Sequence, residues 1–349
     1  MKLTKSCPIC KNKECEELTR RKVEYPGSDL YSNLLDIDYV RNYILFDKIL
    51  RNREPIEFRF QICTGCGFIF FSPRPEESDM AIKYNLINEL GDTKQREEFL
   101  YTGITCDDKR ALEIYKSIAA LVEVHNSSIL DIGGARGLNL KYFLSDNDCF
   151  VVDYERRELL AGTEYLCETT EDMPESMQAK VILYCHTLEH IVDPVKEILR
   201  IKDILEPGGL LYIEVPFGCW NEYKHTRNFL THINFFSEGS LYYLLDMCGL
   251  SIRYLKLKPT LGRVRYVPVI VAIAENSPPN NIKSNTYQMT RAQMEGKHYY
   301  LRAHQAFLTV KLLKFKLLLA AYRRYRFSRV IRRGTKGNVP KSENNYEPN

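Results

Sequence analysis

Two pairs of cysteines near the start of the chain have the spacing of metal ligands. Cys7 and Cys10 form one C-x-x-C turn, Cys63 and Cys66 form another, and 52 residues separate the pairs. Two such turns supply the four tetrahedral sulfur ligands of a structural zinc ion and leave no open position for water. We predict structural Zn²⁺ at these four cysteines. Cys15 is a substitute ligand, and four ordinary buried cysteines are the alternative interpretation.

A glycine-rich loop follows a short apolar run and has the pattern of a ligand-binding turn. The run Ile129–Ile132 predicts a buried strand, and Leu138–Leu144 predicts the helix after the loop. The spacing is not the G-x-G-x-x-G of a dinucleotide site, and no lysine follows as in a P-loop. Asp131 repels a pyrophosphate and suits a ligand that carries an ammonium group. The predicted loop ligands are Asp131, Gly133, Gly134, Ala135 and Gly137.

Acidic residues follow the next apolar runs at the same end of the predicted strands. Asp153 ends the second run, 22 residues after Asp131, where a carboxylate can accept both ribose hydroxyls of an adenosine. Asp172 and Met173 follow the third run, where an acid can accept from the adenine amine. His186 follows the fourth run. Each feature alone fits a plain α/β turn or a surface acid, but their order and spacing favour a cofactor site.

These residues need a parallel sheet to bring them together. Residues 127–275 alternate apolar runs with helical stretches, which predicts an α/β, seven-stranded, doubly wound (Rossmann-like) sheet that ends in a hairpin. Residues 1–72 form the predicted zinc-binding module, and residues 73–126 form a helical cap or linker. Residues 276–349 form a basic helical tail with a disordered end.

Composition excludes several protein classes. The 349 residues are 44% hydrophobic and 27% charged, which excludes a fibrous or disordered chain. Eleven scattered cysteines do not fit a disulfide scaffold. The chain has no signal-peptide pattern at its start and no apolar window of about 20 residues. We therefore expect a cytoplasmic protein.

The net charge of +4 hides an asymmetry. Residues 296–342 contain 13 Lys and Arg and no acid, and the preceding 295 residues have a net charge of −7. A helix is predicted within residues 299–333. Three interpretations stay open for it: peripheral adhesion to anionic lipid at the inner face of the membrane, binding to nucleic acid as the less favoured option, or packing on the acidic body.

Two motifs carry a resemblance to a known family. ILDIGGARG, at residues 129–137, resembles the first motif of class I S-adenosylmethionine-dependent methyltransferases, and LEPGGLLYIEVP, at residues 205–216, resembles the segment through their fifth strand. The resemblance implies S-adenosylmethionine as cofactor. The loop with Asp131 would hold its methionine part, Asp153 its ribose, and Asp172 with Met173 its adenine.

The paired cysteines, HTLEHIVDP and THINFFS make the chain similar to the sugar C-methyltransferases over residues 1 to about 275. That family acts on nucleotide-linked keto-deoxysugars, so the resemblance implies a sugar-nucleotide or related glycan precursor as substrate. His232 aligns with the histidine that the family uses as its base. The chain has Phe229 and Thr231 where the family commonly has tyrosine and glutamate, so the phenol and the orienting acid are missing from the motif. About 70 residues follow residue 275, and we expect them to form a basic helical tail where the family usually has a second α/β domain.

Several alternatives follow from these departures. The substitutes for the base are His186, Tyr223 and His225. The alternative functions are an O- or N-methyltransferase of another small molecule or lipid-linked glycan, and a methyltransferase-like scaffold subunit with weak catalysis. The oligomeric state has no signal in the sequence.

Overall fold

The computed structural model describes residues 1–27, 37–89, 108–220, 222–226, 229–261, 266–279 and 285–296. The basic helix predicted within residues 299–333 lies outside these residues, so its contact with a membrane or with the acidic body stays a prediction. Within the described residues, no helix has the length and apolar character needed to cross a bilayer.

The N-terminal part is a small antiparallel sheet with a helical insert. Its strands are β1 (Cys15–Val23), β2 (Ile56–Cys63) and β3 (Ile69–Ser72), paired in the order β1-β2-β3. The insert contains α1 (Ile37–Tyr43), which continues into a π-helical segment at Ile44–Leu50. Residues 39–51 have the apolar spacing of a helix, and the structure has a helical insert at this place.

The larger sheet has the predicted seven strands. They are β4 (Ser128–Ile132), β5 (Asp148–Val152), β6 (Thr163–Cys167), β7 (Ala179–Cys185), β8 (Leu205–Pro216), β9 (Ser251–Leu261) and β10 (Tyr266–Glu275). The spatial order is β6-β5-β4-β7-β8-β10-β9. The first five strands are parallel, and β10 runs antiparallel to β8 and β9. The α/β fold class and the closing hairpin are confirmed.

Both faces of this sheet are buried. Leu130 and Ile182 belong to one apolar cluster, whereas Ile129 and Val181 on the same two strands belong to a second cluster. Successive side chains of a strand point to opposite faces, so neighbouring residues reach different clusters. The continuous apolar runs in the sequence follow from this two-sided burial, which is typical of parallel sheets.

The helices that pack around the strands begin at local signals. They are α2 (Glu77–Glu89), α3 (Asp108–Ala119), α4 (Pro194–Ile204), the short α5 (Glu222–His225), α6 (Glu238–Met247) and α7 (Thr286–Glu295). Asp193 caps α4 by accepting from two backbone amides, and Pro194 occupies its first position. Ser237 caps α6.

The helix predicted for Leu138–Leu144 is wrong. Only one 3₁₀ turn forms, at Leu138–Leu140, and turns follow it. Asn139 in this turn is buried and hydrogen-bonds to both Arg110 and Asp131. We attribute the difference to these tertiary hydrogen bonds, which override the local helix preference.

Candidate active site and metal centre

The four predicted zinc ligands lie together. Their sulfur atoms are all within 4.8 Å of one another, with 3.6 Å between Cys7 and Cys66 and 3.4 Å between Cys10 and Cys63. A tetrahedral ion with Zn–S bonds of about 2.3 Å holds its sulfurs about 3.8 Å apart. The donor set and its spacing therefore fit zinc. Cys15 lies opposite Cys63 in the β1–β2 ladder and does not belong to the cluster.

Two matching turns build this cluster. Lys11 N donates to Cys7 O at 3.1 Å, and Gly67 N donates to Cys63 O at 2.9 Å. Lys11 and Gly67 both have left-handed backbones, with φ values of 60° and 74°. Hydrogen bonds from the other three thiols lower the pKa of Cys63, which favours a thiolate at this position.

The glycine-rich loop crosses the carboxyl ends of β4 and β5. Gly133 N donates to Val152 O at 2.7 Å, and Gly137 N donates to Gly134 O at 2.8 Å. Gly133 and Gly137 have φ values of 70° and 72°. A Cβ atom added at Gly137 would lie 2.8 Å from a Val151 methyl group. The loop therefore requires glycine for both its conformation and its packing.

Asp153 ties this loop to the second strand. Its carboxylate accepts from Ala135 N and from Glu155 N, both at 2.9 Å. Ala135 has a φ of 51°, in the left-handed region where the resembled family usually has glycine. Burial raises the pKa of Asp153, against the effect of these hydrogen bonds. The structure thus places Asp153 directly beside the loop, where the sequence predicts the ribose.

Asp131 lies beneath the loop and not at its surface. It is fully buried, and Asn139 Nδ2 donates to its carboxylate at 3.1 Å. A Cβ atom on Gly134 would lie 2.6 Å from the Asp131 carboxyl carbon. Burial raises the pKa of Asp131 to about 7, although Asn139 and Arg110 oppose this rise. The structure therefore differs from the expectation of an open acid, because Asp131 supports the loop from below.

Asp172 and Met173 lie after β6, at the same edge of the sheet. The Asp172 carboxylate accepts from Thr169 N at 3.1 Å and from Thr169 Oγ1 at 2.6 Å, which closes a capping box. Met173 is partly buried against the main apolar cluster. Asp172 therefore has a local capping role that its position in the sequence did not indicate.

His186 follows β7 and lies between two buried carboxylates. Its Nε2 is 3.0 Å from Glu214 Oε1, and its Nδ1 is 3.4 Å from Glu189 Oε1. Burial lowers the pKa of His186, but the hydrogen bonds with Glu189 and Glu214 outweigh it and raise the pKa to about 9. An imidazolium at neutral pH has no lone pair for proton abstraction. His186 is therefore a poor substitute for the base.

His232 has the acidic partner that its own motif lacks. Its Nδ1 hydrogen-bonds to Glu222 of α5, and the side chains of His232 and Glu222 are 28% and 29% exposed. Burial lowers the pKa of His232, but the charge and hydrogen bond of Glu222 raise it overall. Sequence reasoning missed Glu222 because it lies ten residues before His232.

The other two substitutes do not join this site. His225 is exposed at the end of α5. Tyr223 is buried, and its ring lies 6.3 Å from that of Phe60 in the N-terminal sheet. The phenol missing at Phe229 is also explained, because Phe229 stacks on Phe58 with ring centroids 3.9 Å apart.

The N-terminal sheet holds the loop that carries His232. Besides the stacking of Phe229, Arg74 donates to Ile233 O at 2.6 Å and to Asn234 Oδ1 at 2.9 Å. Phe235 N donates to Ile69 O at 3.1 Å. These contacts thus link the loop to β2, to β3 and to Arg74 just after β3.

The described residues thus include a glycine-rich loop at the edge of the sheet, an acid beside it, and a histidine–glutamate pair. Residues 95–255 of this chain match the family model described as a methyltransferase domain. The chain carries a methyltransferase domain. The enzyme class predicted from the first-motif loop, an S-adenosylmethionine-dependent methyltransferase, agrees with this match and with the strand order. No curated protein matches the chain.

Several solved methyltransferases share parts of this fold. A Burkholderia thailandensis 1,6-didemethyltoxoflavin-N1-methyltransferase with bound S-adenosylhomocysteine is 16% identical, covers 60% of this chain and 96% of its own, and has a TM-score of 0.46. A Methanosarcina mazei S-adenosylmethionine-dependent methyltransferase is 19% identical, covers 47% of this chain and 98% of its own, and has a TM-score of 0.38. The N-methyltransferase NodS from Bradyrhizobium japonicum WM9 is 14% identical, covers 49% of this chain and 97% of its own, and has a TM-score of 0.38.

Proposed function

We propose that the methyltransferase domain binds S-adenosylmethionine at the carboxyl edge of β4–β7. The Gly133–Gly137 loop lets the methionine part approach the backbone, and the Asp153 carboxylate accepts the ribose hydroxyls. Asp172 and Met173 would flank the adenine. His186 lies at the end of β7 and holds two carboxylates in place behind the cofactor. A cationic cofactor suits this edge, because the carboxyl groups of Asp153 and Asp172 lie there.

We further propose that the transfer is to carbon, on a nucleotide-linked keto-deoxysugar. The observation that carries this proposal is the Glu222–His232 hydrogen bond. Glu222 accepts from Nδ1–H, so Nε2 keeps the lone pair that a general base needs. His232 Nε2 would take the proton alpha to the carbonyl, and the enolate carbon would then be the nucleophile for the methyl group that S-adenosylmethionine supplies, with S-adenosylhomocysteine as the leaving group. Glu222 stabilises the imidazolium that forms.

The cysteine cluster is proposed as a structural zinc site that supports this chemistry at a distance. Zinc would fix the turn between β2 and β3. Phe58 on β2 stacks on Phe229, Ile69 on β3 accepts from Phe235 N, and Arg74, just after β3, donates to the backbone beside His232. Its four sulfur ligands leave no position for a substrate. A reducing, cytoplasmic setting suits it, because zinc-binding cysteines must stay reduced, and none of the ten described cysteines is in a disulfide.

Labelled methyl transfer tests the acceptor. The full chain is incubated with S-adenosylmethionine carrying a ¹³C-methyl group and a panel of nucleotide-linked deoxysugars, each as its keto form and its reduced alcohol. The proposal predicts a new C–CH₃ signal with the keto forms only. An O-CH₃ signal with the alcohols would refute C-methylation and support the O-methyltransferase alternative.

His232→Asn then tests the base, and His225→Asn, at the exposed end of α5, is its matched control. We expect His232→Asn to lower turnover about 100-fold or more, in line with general-base catalysis, while S-adenosylhomocysteine affinity is kept. His225→Asn should turn over at the wild-type rate. Equal rates for both variants would remove His232 as the base.

A further inference from the structure

A second group of metal-ligating side chains lies apart from the cysteines. One ligand atom each from Glu189, His190 and His232 lies within 4.8 Å of the other two. Glu189 Oε1 is 3.8 Å from His190 Nε2 and 4.0 Å from His232 Nε2. These separations are too long for hydrogen bonds. A tetrahedral ion with zinc–nitrogen or zinc–oxygen bonds of about 2.0–2.2 Å holds its ligand atoms about 3.3–3.6 Å apart, so these atoms reach ligand separation with shifts of about 0.2–0.7 Å.

The second nitrogen of each imidazole fixes its tautomer. His190 Nδ1 is 2.8 Å from Thr231 O, and His232 Nδ1 contacts the Glu222 carboxylate. A carbonyl and a carboxylate can only accept, so both Nδ1 atoms carry the hydrogen. Each neutral ring therefore presents its Nε2 lone pair towards Glu189. Metal-ligating histidines typically have such a partner on the other nitrogen.

Glu189 lacks a full set of partners. It is 1% exposed, and His186 lies against its Oε1. Among the described residues, its buried Oε2 has no hydrogen-bond partner. The two Nε2 lone pairs thus converge on a carboxylate that has His186 against its Oε1 and no hydrogen-bond partner at its Oε2 among the described residues. A cation is the species that satisfies all three groups at once.

We propose that Glu189, His190 and His232 bind one divalent transition-metal ion, with Zn²⁺ as the ion that fits best. Two imidazoles and one carboxylate are a zinc donor set that leaves a fourth position open. The side chains of His190 and His232 are 24% and 28% exposed, so water or a substrate oxygen can reach that position. Glu222 adds a second negative charge, which favours a cation at this site. The positive charges of Lys83 and His186 oppose it.

This site competes with the base of the proposed function, because the His232 Nε2 lone pair either takes a proton or binds the metal. A metal-loaded chain would lack the free base, so added Zn²⁺ would inhibit carbon methylation. Metal binding is measured without turnover. The proposed metal site and the proposed acceptor can therefore fail separately.

Zinc content of the full chain tests the site. Protein is equilibrated with excess Zn²⁺ near neutral pH, freed of loosely held metal, and analysed by elemental mass spectrometry. We expect about two zinc ions per chain in the wild type and about one in His190→Asn and in His232→Asn. The matched variant His225→Asn should keep about two. One zinc per chain in the wild type, or two in both site variants, would overturn the proposal.

Cobalt gives a second readout that does not depend on one variant folding well. Co²⁺-loaded wild type should show sulfur-to-metal charge transfer from the cysteine site and additional, weaker d–d absorption from the second site. His232→Asn should lose only the additional absorption. S-adenosylhomocysteine binding serves as the folding check. A folded His232→Asn variant with an unchanged cobalt spectrum would contradict the assignment.

Discussion

Replacing Glu222 tests whether it orients His232 and stabilises the imidazolium. In Glu222→Gln the amide oxygen can still accept from His232 Nδ1–H, but the charge is lost. A hydrogen bond to a charged group contributes about 1.5–3 kcal/mol and a neutral one about 0.5–1.5 kcal/mol, a difference of about 1–1.5 kcal/mol. Both side chains are less than a third exposed, so solvent screens only part of this difference. We therefore expect a five- to tenfold loss of turnover, roughly, in Glu222→Gln.

Glu222→Ala removes the partner altogether, and the loss should grow to about 10- to 100-fold. The assay is transfer of labelled methyl to the first keto-deoxysugar nucleotide that the wild type accepts, with kcat and KM measured separately. The loss should appear in kcat, and S-adenosylhomocysteine affinity should stay at the wild-type value. Glu164→Gln, an exposed acid on β6, is the matched control. Turnover within twofold of wild type in both Glu222 variants would refute the orienting role.

Four further predictions address the zinc cluster and the cofactor loop. Cys63→Ser should lose zinc and have a lower melting temperature. It should reduce kcat far more than S-adenosylhomocysteine affinity, because the cluster supports the His232 loop. Equal losses of kcat and of S-adenosylhomocysteine affinity would contradict this. Asp153→Asn should weaken S-adenosylhomocysteine binding about 10- to 100-fold by calorimetry, since it removes a charged acceptor, whereas Asp148→Asn at the opposite end of β5 should not. Ala135→Gly should stabilise the fold by up to about 1 kcal/mol in denaturant titrations, because glycine adopts the observed positive φ without steric cost; a destabilised variant would contradict the strain. The folded pKa of Asp131 is raised to about 7, so its contribution to stability is complete below about pH 4 and is lost as the pH rises through about 7. The free energy of unfolding of Asp131→Asn, relative to that of the wild type, should therefore increase by about 2 kcal/mol as the pH rises from about 5 to about 7. A difference that does not depend on pH would contradict this prediction.

The spacing of residues in the sequence predicts those parts of the site that are formed by residues close together in the chain. The C-x-x-C pairs require one kind of turn and one ligand type, and the structure brings all four cysteines together. The apolar runs and the glycine-rich loop specify parallel strands with their carboxyl ends at one edge. Asp153 lies beside that loop for the same reason.

Contacts between segments that are distant in the chain could not be predicted from the sequence. Glu222 replaces the acid missing at Thr231, but nothing in its own short helix indicates a partner ten residues later. Phe229 occupies the position where the resembled family commonly has tyrosine, and its ring stacks on Phe58, 171 residues away in the chain. The helix expected after Gly137 fails because Asn139 bonds to Asp131 and Arg110. Such long-range pairings override local preference without a local signal.

Titration of the purified full chain with S-adenosylhomocysteine by isothermal calorimetry is the most direct test that this is an S-adenosylmethionine-dependent enzyme. It needs no knowledge of the acceptor. The geometry of the loop and of Asp153 predicts saturable binding at one site per chain, weakened in Asp153→Asn and unchanged in Asp148→Asn. An absence of binding to the folded, zinc-loaded wild type would contradict the account and favour a methyltransferase-like scaffold.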